Sequence, residues 1–248
     1  MCYLLSDLAI EPSLVQISMK ISPVTISLGL TLAAFPASAA TLHRLTGGHM
    51  DAPAFGYVSG SGFEPHLHNE GGPNGSIIND VREEADVEFD PADVTIGISE
   101  FSTTTLNSQN YYWLPQDSND AANYGVPFLG IGLEELDPAD WNGSLTLTLQ
   151  GITGPGDFVL WQDGFSNSTI FADSVNDSFT LEAGSHTHFN WGFTEKGIYG
   201  LEFAISGTHV ADGFQTAAAI YTFEVIPEPS SLLLVGALGS LALLRRRR

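Results

Sequence analysis

Apolar and polar residues alternate with a period of two through the middle of this chain. Leu145, Leu147 and Leu149 alternate with Thr146, Thr148 and Gln150. Tyr199, Leu201, Phe203 and Ile205 alternate with Gly200, Glu202, Ala204 and Ser206, and Tyr221, Phe223 and Val225 with Thr222 and Glu224. Successive side chains of a strand point to opposite faces, so each run predicts a strand with one buried and one wet face. Asp157 to Gln162 reads as a strand buried on both faces, and Val94 to Ile98, Tyr111 to Leu114 and Phe128 to Ile131 as further short strands. Clusters of turn residues separate them, such as Gly151 to Gly156 and Asn74-Gly75-Ser76. No segment between residues 40 and 226 keeps a period of 3.6, and no repeat or linker divides it. The expected fold is all-β, an antiparallel β-sandwich over residues 40–225. The acidic stretch from Asp80 to Asp93 reads as a long surface loop.

Both ends carry sorting signals. Met19-Lys20 opens a signal peptide over residues 19–39, with an apolar stretch from Val24 to Phe35 and an A-x-A site for signal peptidase at Ala37-Ser38-Ala39. Residues 1–18 carry Asp7 and Glu11 without Lys or Arg, which points to Met19 as the initiator of a leader that here spans 1–39. Cys2, the one cysteine, lies in that extension, so a domain starting near Ala40 has no disulfide and depends on its core. At the other end, residues 226–248 combine Pro227-Glu228-Pro229, an apolar run from Leu232 to Leu244, and Arg245, Arg246, Arg247 and Arg248. The arginines stay cytoplasmic, leaving the preceding chain outside the membrane. A helix of such a run spans roughly 20 Å against a hydrocarbon core of about 30 Å, short for a permanent anchor and suited to a transient one. Helices are expected at both termini, a signal helix and a hydrophobic sorting helix.

This tail resembles the PEP-CTERM sorting domain of Gram-negative bacteria. The resemblance implies processing near Pro227-Glu228-Pro229 by an exosortase, transient anchoring in the inner membrane, and delivery to the cell surface or exopolysaccharide matrix. An ordinary tail anchor is the alternative.

Charge narrows the partners. Only Arg44, Arg82 and Lys196 fall between residues 40 and 226, against 26 of the 29 Asp and Glu, a balance of 3 − 26 = −23. Nucleic acid needs a basic footprint and is excluded as a partner. So acidic a surface suits divalent cations, or a saline habitat that screens the self-repulsion.

The histidines carry the chemistry. Of seven, five fall in three groups: His49 with Asp51, His66 and His68 with Glu70, and His186 with His188. Residues two apart on a strand share a face. His186, His188 and Asn190 should therefore point one way, and Phe189, Trp191 and Phe193 the other way, into the core. By the same rule His66, His68 and Glu70 should cluster. Two such strands brought together with His49 and Asp51 would offer imidazole and carboxylate donors to Zn²⁺ or another divalent metal. The alternative is that each His-x-His pair is an ordinary polar solvent face. His43 and His209, isolated, read as surface residues.

The blocks Leu145 to Gly151, Gly154 to Gln162, Gly184-Ser-His-Thr-His-Phe-Asn-Trp-Gly-Phe193 and Gly197 to Phe203 together resemble the choice-of-anchor M domain. They are similar also to the surface-anchored repeat domain of actinobacteria. Gly48 to Asp51, Trp113 to Gln116 and Phe128 to Gly132 fit the same pattern. That resemblance implies an extracellular module paired with a surface anchor, and metal handling by association with uptake transporters.

The sequence holds no nucleophile elbow, His-Glu-x-x-His, P-loop or dinucleotide fingerprint, and Asp117 to Asp120 lacks the glycine and closing glutamate of an EF-hand. Three functions remain open: a non-catalytic metal-binding surface module, an adhesive exopolysaccharide-associated component without metal, and a metal-dependent hydrolase.

Overall fold

The computed structural model describes residues 43–226. The leader over residues 1–39, with its cleavage site, and the tail from Pro227 to Arg248 lie outside the described residues, as do the helices expected there. The strands in chain order begin with β1 (His43–Gly47), β2 (His49–Val58), β3 (Gly62–Asn69), β4 (Ile77–Ile78), β5 (Val81–Arg82) and β6 (Val87–Phe89). β7 (Val94–Ser99), β8 (Thr103–Leu106) and β9 (Gln109–Leu114) lead to one short helix, α1 (Ser118–Tyr124). β10 (Phe128–Gly132), β11 (Leu145–Thr153), β12 (Phe158–Asp163), β13 (Ser168–Ala172) and β14 (Ser178–Leu181) follow. β15 (His186–His188) and β16 (Asn190–Phe193) precede a long hairpin of β17 (Gly197–His209) and β18 (Gly213–Ile226).

These strands build an all-β sandwich from three sheets. The largest has the order β14-β11-β17-β18-β7-β1-β4-β5. The second runs β15-β10-β2-β3-β6, and the third β13-β12-β16-β9-β8. Pairing is mostly antiparallel, with parallel pairs at β1·β7, β7·β18 and β2·β10. Every strand expected from alternation is present. The apolar members Leu147, Leu149, Leu201, Phe203, Ile205, Tyr221, Phe223 and Val225 are all buried. They meet Met50, Leu67 and Leu129 of the second sheet and Phe158, Trp191 and Phe193 of the third in one continuous core. Trp191 stacks on Phe223 at 5.5 Å, and Phe193 sets its edge to Tyr199 at 4.8 Å. Each large side chain so buried contributes about 1.5–3 kcal/mol. β12 is buried on both faces as its composition predicts. Phe158 and Leu160 face the main core, whereas Val159 and Trp161 pack with Leu106, Tyr111 and Trp113 in a smaller cluster.

Three local expectations are corrected and one short helix is added. The acidic stretch from Asp80 to Asp93 is not one loop: β5 and β6 lie within it, and β6 pairs with β3. Asp117 to Asp120 starts α1, with the Asp117 side chain accepting the N–H of Asn119 at 2.9 Å and of Asp120 at 3.2 Å, and Gly125 closing the helix at φ 65°. Seven residues are too few to display a helical period. Gly151, read as a turn, is a strand residue beside a register shift between β11 and β17. Asn190 does not share a face with His186 and His188. The chain leaves the second sheet after His188 and enters the third at Asn190, turning on Phe189, which is buried against Phe171 and Phe179.

Candidate metal centre

The second sheet gathers the histidines. β10 lies between β2, its parallel partner, and β15, its antiparallel partner. In register, Phe128 stands beside His49, Gly130 beside both Asp51 and His188, and Gly132 beside His186. Leu129 and Ile131 alternate with them and are fully buried in the core. Strands two apart are separated by about 10 Å, too far for short side chains to meet over an occupied middle strand. Gly130 and Gly132 clear that middle row. A Cβ on Gly130 would lie 2.5 Å from His186 Nε2 and closer still to Asp51 Oδ1, and one on Gly132 would lie 2.8 Å from Glu134 Oε2. Across the gap the rings of His49 and His186 stack at 5.1 Å, His186 and His188 lie 4.7 Å apart, and His188 stacks on Phe128 at 3.6 Å.

One donor atom from each of His49, His186 and His188 lies within 4.8 Å of the others. Asp51, with no exposed surface, sits among them. Its Oδ1 is 2.9 Å from His186 Nε2 and 3.5 Å from His49 Nε2. These approaches are close but off the hydrogen-bonding direction. His49 Nε2, both Asp51 carboxylate oxygens, His186 Nε2 and His188 Nδ1 are all buried without a hydrogen bond. Buried polar atoms in native proteins are almost always satisfied. Five such orphans on neighbouring side chains form a donor set for a cation. The far sides of two rings face carboxylates: Glu134 Oε1 is 2.7 Å from His186 Nδ1, and Glu70 Oε2 is 3.7 Å from His49 Nδ1. Carboxylates behind the rings of metal-binding histidines fix tautomer and orientation.

The electrostatics follow from this crowding. Asp51 and Glu134, each close to one ring nitrogen, push His186 up to about 10 against its burial, so a cation bound here would displace the proton that otherwise sits between His186 and Asp51. Burial, with His186 and His49 alongside, pushes His188 down to about 4, so its ring is neutral. Burial raises the Glu134 carboxyl, but His186, the backbone N–H of Glu134 and His68 together outweigh it and leave the group below its ordinary value. The cluster borders a cleft of about 760 Å³ lined also by Glu70, Arg82 and Phe128.

His66 and His68 form a separate group on β3. Their neighbour is Glu135, with Oε1 3.1 Å from His66 Nε2 and 3.6 Å from His68 Nδ1. Glu70, expected beside them, lies past the end of β3 and faces His49 instead. The two His-x-His pairs thus do not converge on one point. Glu134 and Glu135 went unnoticed in the sequence. They follow the Gly130-Ile131-Gly132 run, and two adjacent acids after such a glycine pair are the signal that could have marked them. Neither isolated histidine is a plain surface residue. His43 is half-buried with its edge on Phe89 at 5.2 Å. His209 is buried beside Tyr57 and Trp141, with Nδ1 accepting the Asp212 N–H at 3.1 Å.

Comparison with known proteins finds the PEP-CTERM protein-sorting motif over residues 225–248. That motif marks an exported protein sorted to the cell surface and implies recognition and processing by an exosortase. No curated protein and no solved structure matches the chain.

Proposed function

We propose that this surface-sorted sandwich is a non-catalytic module that holds a divalent, zinc-like ion on His49, Asp51, His186 and His188. The carrying observation is the set of buried, unsatisfied donors brought together over Gly130. Three imidazoles and a carboxylate suit zinc, and four protein donors fill its tetrahedral shell, which favours retention of the ion over turnover. Glu134 and Glu70 would support the His186 and His49 rings from behind. The remaining export route is part of the same reading: signal peptidase cleaves after Ala39, the short apolar run holds the chain transiently in the inner membrane of a Gram-negative cell, and the acidic sandwich is released among exopolysaccharide. The composition of the two termini supports that order of events.

Elemental analysis of purified, chelator-stripped protein re-equilibrated with zinc tests the reading. His186→Ala with His188→Ala should bind one ion fewer per chain than the wild type. Equal stoichiometry in the two proteins overturns it.

A further inference from the structure

We infer that a second divalent ion binds at His66, His68 and Glu135, distinct from the first. His66 Nδ1 lies 2.9 Å from the backbone carbonyl oxygen of Glu64. A carbonyl only accepts, so Nδ1 carries the ring proton and Nε2 presents a lone pair. That lone pair faces Glu135 Oε1, another acceptor, at 3.1 Å. His68 repeats the arrangement with its nitrogens exchanged. Its Nε2 donates to Asp86 Oδ1 at 2.9 Å, which leaves Nδ1 bare toward the same Glu135 oxygen at 3.6 Å.

Three lone pairs therefore meet, and their donor atoms lie within 4.8 Å of one another. Something positive must stand between them. One proton on His66 would settle its contact with Glu135 but leave His68 Nδ1 facing the same oxygen, and protons on both would place two imidazolium rings with centroids 6.1 Å apart around one carboxylate. A single divalent ion satisfies all three donors at once. The nitrogens facing away are already anchored, by the Glu64 carbonyl and by Asp86, as ligating histidines require. His66 is only 5% exposed, so its bare nitrogen cannot turn to bulk water instead.

The supporting elements are rigid. His66 and His68 share a face of β3, which is paired on both sides by β2 and β6. Glu135 sits in a turn pinned by the fully buried Leu133 and Leu136, closed by the Leu136 N–H donating to the Leu133 carbonyl at 3.1 Å. The same turn aims Glu134 at His186 and Glu135 at His66. Three protein donors leave a fourth coordination position for water or for an oxygen ligand from outside. The donors are those of β3 and the turn alone, so the second ion does not require the first.

Zinc stoichiometry of the full protein, measured by elemental analysis at saturation, decides the matter. The wild type should hold two ions. His66→Ala with His68→Ala should hold one, and so should His186→Ala with His188→Ala. Two ions retained after His66 and His68 are replaced overturns the inference. A wild type that holds one ion, lost on replacing His186 and His188, overturns it while leaving the first site standing. One ion lost only on replacing His66 and His68 supports it and removes the first site instead. Asp86→Asn, an exposed change that leaves the fold alone, should weaken the second ion by roughly 10–100-fold and spare the first; unchanged affinity for both ions counts against the site.

Discussion

β15 and β3 carry the same three-residue pattern, His-x-His, in the same sheet, yet they build different surroundings. The β15 pair looks across a strand whose side chains are missing at Gly130 and Gly132, and so reaches His49 and Asp51 on the strand beyond. The β3 pair lies beside β2 and β6 and completes its set from a turn, through Glu135. Period two puts paired imidazoles on one face in both cases. What they become is decided by what the neighbouring strand omits or the nearest turn supplies.

The largest test of that contrast is Gly130→Ala. The added methyl would overlap Asp51 and His186. It should destabilise the fold by about 1–3 kcal/mol through overpacking and expel the first ion. The loss should exceed the roughly 10–100-fold effect typical of changing a ligand's hydrogen-bond partner. The second site, whose neighbouring glycine is Gly56 on β2 and not Gly130, should keep its ion. Zinc content of the variant, with a thermal melt, checks both parts.

Glu134→Gln should produce a smaller change and sharpen the comparison in the same turn. It removes the charge behind His186 without touching a donor of the second site. The first ion should weaken by roughly 10–100-fold and the second far less, since Glu134 reaches His68 only through its charge, as read by competition with a chelator of known affinity.

Much of this was legible in residues 40–226. His49 and Asp51, like His186 and His188, share a face by alternation alone, and Phe189, Trp191 and Phe193 are core as that rule requires. The all-β class followed from the same signal. The rest depends on pairing between distant segments. That β10 would lie between β2 and β15 is a long-range register, and a single sequence states no register. Asn190 misled because alternation assumes one continuous strand, whereas the chain changes sheets at Phe189. Glu134 and Glu135 lie outside the strands, where a two-residue period has nothing to say. Glu70 erred for a related reason: it is beyond the end of β3, and alternation ceases to aim a side chain once the strand stops.

His209 supplies a third environment and the smallest expected effect. It too has a carboxylate nearby, Asp212 Oδ2 at 3.2 Å, but aromatic rings of Tyr57 and Trp141 occupy the space where other donors would stand. Asp212 instead collects hydrogen bonds: from the Tyr57 and Ser59 hydroxyls at 2.8 Å each, and from the Gly60 N–H at 3.3 Å. The Tyr57 hydroxyl, then Ser59, hold its carboxyl below the ordinary value of 3.8. A group lowered in the folded state adds stability that is present above its ordinary value and fades as pH falls through the lower, folded one. Asp212→Asn should therefore melt slightly below the wild type at about pH 5, and the gap should narrow as pH falls below the ordinary value of 3.8. Zinc content should not change. A variant that lost an ion would mean that a histidine and a carboxylate in contact suffice for metal here, and the distinction drawn between an aromatic box and a glycine-floored cluster would fail.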